Sequence, residues 1–256
     1  MDQIRYLKAC NKIIDADRVK NGIGTLGEKT IHAVLKNYFE PNESKQEVRI
    51  GNYVADICSE AGIIEIQTRN FNNLRKKLSV FLETGPVTVV YPIPSIKWLR
   101  WIDEETGETT DRRKSPKKGT PYAAFYELYK IKEHLLHPNF NLCLILIDME
   151  EYRLLNGWSR DRKKGSTRYD RVPLGLKEEI WIQDRSDYKR LIPDSLEEEF
   201  VSRDYKKASG LSLSQAQTAL NVLFYTGAVE RTGKKGNAYC YKRTTSKPVD
   251  LRESLL

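Results

Sequence analysis

Apolar positions along this chain switch between helical spacing and strict alternation. Residues 3–20 read as a helix, Gly22 and Gly24 as a loop, and residues 26–39 as a second helix striped by Ile31, Val34, Leu35 and Tyr38. Residues 46–50 read as a strand that Gly51 and Asn52 turn back into Tyr53. Residues 54–67 then alternate through two short strands, with Ser59, Glu60, Ala61 and Gly62 as the turn between them. That loop pairs Cys58 with Ile63 and Ile57 with Ile64, and sets Asp56 opposite Glu65. Residues 70–83 read as a helix with Phe71, Leu74, Leu78 and Phe81 inward, and residues 86–91 as an apolar buried strand.

Pro92 and Pro94 are expected to end that strand. Residues 95–120 read as a hairpin with a basic loop, and residues 121–137 as a helix striped by Phe125, Leu128, Ile131 and Leu135. A second buried strand is expected over 142–147, with Asp148 and Glu150 at its end where charge meets water. Residues 160–171 form a basic excursion, and residues 178–183 a strand around Trp181. Beyond Ser186 the pattern changes. Short helices begin near Asp187 and Phe200, and Gly210 makes a turn. Ser212 and Gln215 form a capping-box signature. The helix it opens carries Ala216, Ala219, Leu220 and Leu223 inward and stops at Gly227. Strands over 229–231 and 238–242 flank Gly233-Lys-Lys-Gly236. The reading is an α/β chain with one large domain, 1–185, and a small one, 186–256.

Composition narrows the classes. The chain has 256 residues, 39% of them hydrophobic, enough for a core. No apolar run approaches the roughly 20 residues of a membrane span, and the N-terminus lacks the apolar stretch of a secretory signal. Cys10, Cys58, Cys143 and Cys240 form no C-x-x-C pair, which suits reduced, packed thiols in the cytoplasm. The net charge of +8 and a pI near 9.1 point to a polyanionic partner, and without an apolar span no membrane is expected.

The chemistry concentrates in the 54–67 hairpin. Two carboxylates opposite one another on one sheet face repel, and a divalent cation with oxygen ligands compensates. Ile63, Glu65 and Gln67 share a face, so Gln67 points with Glu65. Asp56, eight intervening residues and then Glu65-Ile66-Gln67 resemble the core of the PD-(D/E)XK nuclease superfamily. Gln67 stands where Lys is usual, and Ala55 where the superfamily has Pro. The helix, three strands, helix and strand over 24–91 follow the same order as that fold, a restriction-endonuclease-like mixed sheet flanked by helices. The resemblance implies Mg²⁺, with Mn²⁺ able to substitute, held by Asp56, Glu65 and the backbone carbonyl of Ile66. It also implies that Gln67 orients the attacking water or the phosphate. Glu28 has two readings: partner of Thr25 in a capping box, or the helix carboxylate that completes the catalytic set. Arg69 falls on the Gln67 face if the strand continues, and would supply the charge of the missing Lys.

The C-terminal pattern resembles a winged helix-turn-helix domain. The resemblance implies that Ser214, Gln215, Gln217, Thr218 and Asn221 face DNA from the capped helix, with Lys234 and Lys235 at the wing tip. The combined expectation is a metal-dependent endonuclease acting on double-stranded DNA, in a transposition, restriction or defence context, as a homodimer or with a partner protein. The alternative is a non-catalytic DNA-binding regulator or assembly protein on a degenerate nuclease fold. An RNA nuclease is a third reading.

Overall fold

The computed structural model describes residues 1–20, 30–157 and 167–245. Helices α1 (Gln3–Lys20) and α2 (Thr30–Phe39) lead into strands β1 (Gln46–Ile50), β2 (Tyr53–Ser59) and β3 (Gly62–Ile66). Helix α3 (Arg75–Thr84) is followed by β4 (Val87–Ile102), β5 (Arg113–Lys114), the short α4 (Phe125–Leu128), β6 (Phe140–Leu154) and β7 (Arg168–Ile182). Then come β8 (Glu199–Val201), α5 (Ser202–Ser209), α6 (Leu213–Tyr225), β9 (Val229–Lys235) and β10 (Ala238–Arg243). The α/β class expected from the patterning holds: a large sheet with flanking helices. Strand order in that sheet is β1-β2-β3-β4-β6-β7, with β5 paired to β4.

The chain packs as two compact units. The first comprises Met1–Thr68, Val90–Thr120 and Leu144–Glu179; the second comprises Arg69–Val89, Pro121–Cys143 and Ile180–Leu256. These units interleave along the sequence, whereas the patterning divides the chain once, at 185/186.

In the first unit, α1 and α2 join through Tyr6 and Tyr38, whose rings meet edge to face at 5.6 Å. The N-terminal end of α2 is held by a carboxylate distant in sequence. Asp170 on β7 accepts from the Thr30 backbone N–H at 3.2 Å and from the Thr30 hydroxyl. A negative charge is favoured there because the first N–H groups of a helix lack partners within it. Glu28 and Thr25, with the rest of residues 21–29, lie outside the described residues. So do the basic residues 160–166 and the tail from 246.

Two strand boundaries correct the sequence reading. Pro92 and Pro94 lie inside β4, which runs on to Ile102. A proline removes one N–H donor, and around these two the structure uses other bonds. Gly119 N–H donates to Ser95 O at 3.1 Å, and Ile96 N–H donates to Asp148 Oδ1 at 3.0 Å. Gly119 is required at this crossing, since a Cβ would come within 2.0 Å of Pro94 O. The strand read over 142–147 extends from Phe140 to Leu154, and Asp148 and Glu150 are buried within it rather than meeting water at its end. Lys177 lies 3.1 Å from Asp148, and the Tyr152 hydroxyl donates to Glu150 at 3.0 Å. Buried carboxylates persist where such partners meet them. The expected hairpin after β4 is present, with Trp98 paired to Lys114 and Leu99 to Arg113.

In the second unit, Phe71, Leu78, Phe81, Phe125, Leu128 and Ile131 are buried, as their spacing predicts. The helical stretch over 121–134 is kinked at Ile131. Buried Glu127 accepts from the Phe71 N–H at 2.7 Å and pairs with Lys130 at 2.9 Å. The segment after Asp184 is a capped 3-10 turn, Arg185–Leu191, where a helix was expected. Further on, β8, β10 and β9 form a three-stranded sheet in that order. The Ser212–Gln215 capping box forms with both reciprocal bonds, and Ala216, Ala219, Leu220 and Leu223 are fully buried.

Candidate active site

Asp56 stands on β2 and Glu65 on β3. The ladder between them runs Ser59↔Gly62, Cys58↔Ile63 and Ile57↔Ile64, the register that alternation predicts. One step further, side chains replace the backbone as acceptors. Asp56 N–H donates to Glu65 Oε1 at 3.2 Å, and Ile66 N–H donates to Asp56 Oδ2 at 2.7 Å. Each carboxylate therefore rests on a backbone amide of the opposite strand, which fixes both side chains at the point where the ladder ends. Glu65 is 2% exposed, while the Asp56 side chain keeps 20% of its surface open.

His32 joins this pair from α2. Its Nε2 lies 3.2 Å from Asp56 Oδ2, so the Nε2-protonated tautomer donates to the carboxylate. Sequence reasoning passes over His32; its one signal is a helical spacing of four from Glu28. On the other side of Asp56 is Glu47, which falls between the pairs Gln46↔Ile57 and Val48↔Ala55 and so across from Asp56. Glu47 has a left-handed backbone, φ +52, and its side chain reaches Lys36 Nζ at 2.7 Å. A non-glycine residue there costs roughly 1–2 kcal/mol, and such strain gathers at functional sites.

Gln67 lies just past the end of β3, half-buried, with its N–H donating to Val90 O at 2.9 Å. The continuation that would carry Arg69 onto its face does not occur. β3 stops at Ile66, the chain bends at Thr68, and Asn70 is left-handed at φ +56. Alternation fails there because these residues no longer belong to a strand; Arg69 is exposed.

The donor set is oxygen-rich. Among the described residues no three His, Cys, Asp or Glu side chains group as a metal-binding cluster. Asp56 and Glu65 are two carboxylates on neighbouring strands, and an ion held by so few protein ligands keeps much of its own water. Mg²⁺ is such an ion, needing one or two carboxylates.

The second unit carries the other candidate residues. Ser214, Gln215 and Gln217 are exposed on α6. Gln215 Oε1 accepts from Ser212 N–H at 3.0 Å, and Thr218 Oγ1 donates to Ser214 O at 3.1 Å. Asn221 is half-buried, with Lys132 Nζ donating to its Oδ1 at 3.2 Å. Lys234 and Lys235 are exposed, but they are not the hairpin tip as expected. They pair with Tyr239 and Ala238, so Gly236 and Asn237 make the turn, with Gly236 at φ +61. The sequence reading also missed Arg231, whose guanidinium lies 4.3 Å from the Phe224 ring centroid and 4.0 Å from that of Tyr239.

The family described as a domain of unknown function, DUF8091, matches residues 29–183, and the chain belongs to it. The chain is also similar to an uncharacterized protein of Treponema pallidum (strain Nichols), 26% identical over 228 residues, covering 86% of this chain and 87% of that one. No solved structure matches.

Proposed function

We propose that this member of the DUF8091 family is a metal-dependent DNA endonuclease of the PD-(D/E)XK type. The observation that carries the proposal is the Asp56–Glu65 pair, two carboxylates held across adjacent strands by each other's backbone amides. Asp56, Glu65 and the Ile66 carbonyl would hold Mg²⁺ or Mn²⁺. A bound Mg²⁺ would polarise the phosphate and lower the pKa of a water. The chain's own residues do the positioning. Ile66 N–H and His32 fix the Asp56 carboxylate, Asp56 N–H fixes that of Glu65, and the Gln67 amide orients water or a phosphate oxygen. Gln67 supplies neither a positive charge nor a base.

The second unit supports a winged-helix reading. Its sheet order β8-β10-β9 brackets two helices, and the capped one, α6, presents Ser214 and Gln217 to solvent. That domain would position duplex DNA, with Lys234 and Lys235 on phosphates. Cutting both strands takes two such sites, hence a second copy or a partner. No helix among the described residues is long and apolar enough to cross a membrane. Cys10, Cys143 and Cys240 are buried, and packed thiols suit the cytoplasm. Gln67 in place of Lys favours a second reading, a DNA-binding regulator that does not cut.

Plasmid cleavage separates the two. The nuclease reading expects nicking or linearisation with Mg²⁺ or Mn²⁺, none with EDTA, and a loss of at least about a hundredfold in Asp56→Ala and Glu65→Ala. DNA binding without cleavage in any of these metals selects the regulator.

A further inference from the structure

Glu151 on β6 is fully buried, and four cations converge on it. Arg153 Nη2 lies 2.5 Å from Oε1. On Oε2, Arg171 Nε is at 3.1 Å, Arg168 Nε at 3.3 Å and Lys97 Nζ at 3.3 Å. Side chains alternate along a strand, so Glu151 and Arg153 project to the face opposite Asp148, Glu150 and Tyr152. Lys97, Arg153 and Arg171 alone bring three positive charges to one negative charge, before Arg168 is counted. The excess is steric as well as electrostatic. A carboxylate oxygen offers about two lone pairs, yet three cationic groups crowd on Oε2. Arg171 meets that oxygen through Nε, which leaves its fork of terminal nitrogens outside the bond. The cations shape one another. Lys97 is held below its ordinary pKa by burial and by Arg171 and Arg153, although Glu151 pulls the other way. The cage opens to solvent along Arg168, whose side chain is 40% exposed.

We propose that Lys97, Arg153, Arg168 and Arg171 form a binding site for a phosphate group, in which Glu151 acts as the fixed internal counter-charge. A phosphate dianion is the oxyanion class that matches the surplus. It is multiply charged, and its oxygens accept the paired N–H bonds of a guanidinium. The site is built on β4, β6 and β7, whereas Asp56 and Glu65 stand on β2 and β3. It therefore holds or fails independently of the nuclease reading.

Isothermal titration with inorganic phosphate, in chloride buffer at fixed ionic strength, tests it on the whole chain. A parallel titration compares a 5′-phosphorylated oligonucleotide with its unphosphorylated form. The expected result is saturable, one-to-one phosphate binding that weakens about tenfold in Arg171→Ala. In Glu151→Gln, which leaves the cations without their counter-charge, binding tightens by about the same factor. Urea unfolding in phosphate guards against misfolding, since a bound anion must raise the midpoint of Glu151→Gln more than that of the native chain. A stronger effect of the phosphorylated oligonucleotide than of free phosphate identifies a nucleic-acid end as the source; the reverse identifies the free ion. Absence of saturable phosphate binding in both the native chain and Glu151→Gln, or binding unchanged by Arg171→Ala, overturns the proposal.

Discussion

Glu65 and Glu151 are both buried carboxylates on one sheet, and they are balanced in opposite ways. Glu65 faces a second carboxylate, Asp56; each accepts from a neutral backbone amide of the opposite strand, and His32 meets Asp56. Glu151 faces four cations. Amides orient a carboxylate without cancelling its charge, and the proposed function rests on the attraction of the Asp56–Glu65 pair for an added cation. The Glu151 cage is over-neutralised and attracts an anion. Burial alone therefore says little about what a carboxylate does; the sign of the charge left around it decides.

The largest expected effect comes from Glu151→Gln. Removing one member of a buried charge network leaves the others uncompensated, at a cost of about 3–5 kcal/mol. Urea unfolding without phosphate measures it, and a loss below about 1 kcal/mol would make the cage energetically idle. Acid comes next. Burial pushes the Glu151 carboxyl up, but Lys97, Arg171, Arg168 and Arg153 more than offset this and hold it at about 2, below its ordinary 4.5. A depressed folded-state value means that the unfolded chain binds the proton first as pH falls. About 3 kcal/mol of stability is thus fully present above pH 4.5 and lost as pH falls toward 2. Unfolding measured from pH 6 to pH 2 should show this slope in the native chain and a flatter one in Glu151→Gln. The smallest effect belongs to Asp56→Asn. Its amide oxygen still accepts from Ile66 while one of two facing charges disappears. In EDTA its stability should differ by less than about 1 kcal/mol, toward greater stability; a large loss would mean that the pair is not electrostatically opposed.

The two sites were unequally legible in the sequence. The β2–β3 register followed from alternation and a four-residue turn, both local, and α1 was found with its observed limits. His32 and Glu47 were hidden because their roles depend on how α2 and β1 lie beside β2. The Glu151 cage was hidden more deeply. Its partners come from β4, β6 and β7, as far as 54 residues away. A strand with Asp148 and Glu150 at its end looks like a strand running out into water until those partners are known. Pro92 and Pro94 misled for a related reason, since the bonds that carry β4 past them come from Gly119 and Asp148.

The central claim is that Asp56 and Glu65 together attract a divalent cation. The most direct test is the melting temperature of the native chain, Asp56→Asn and Glu65→Gln, each in millimolar MgCl₂ and in EDTA at matched ionic strength. Mg²⁺ is expected to raise the native midpoint by a few degrees and to move neither variant. An equal rise in all three proteins, or no rise in the native chain, would contradict it.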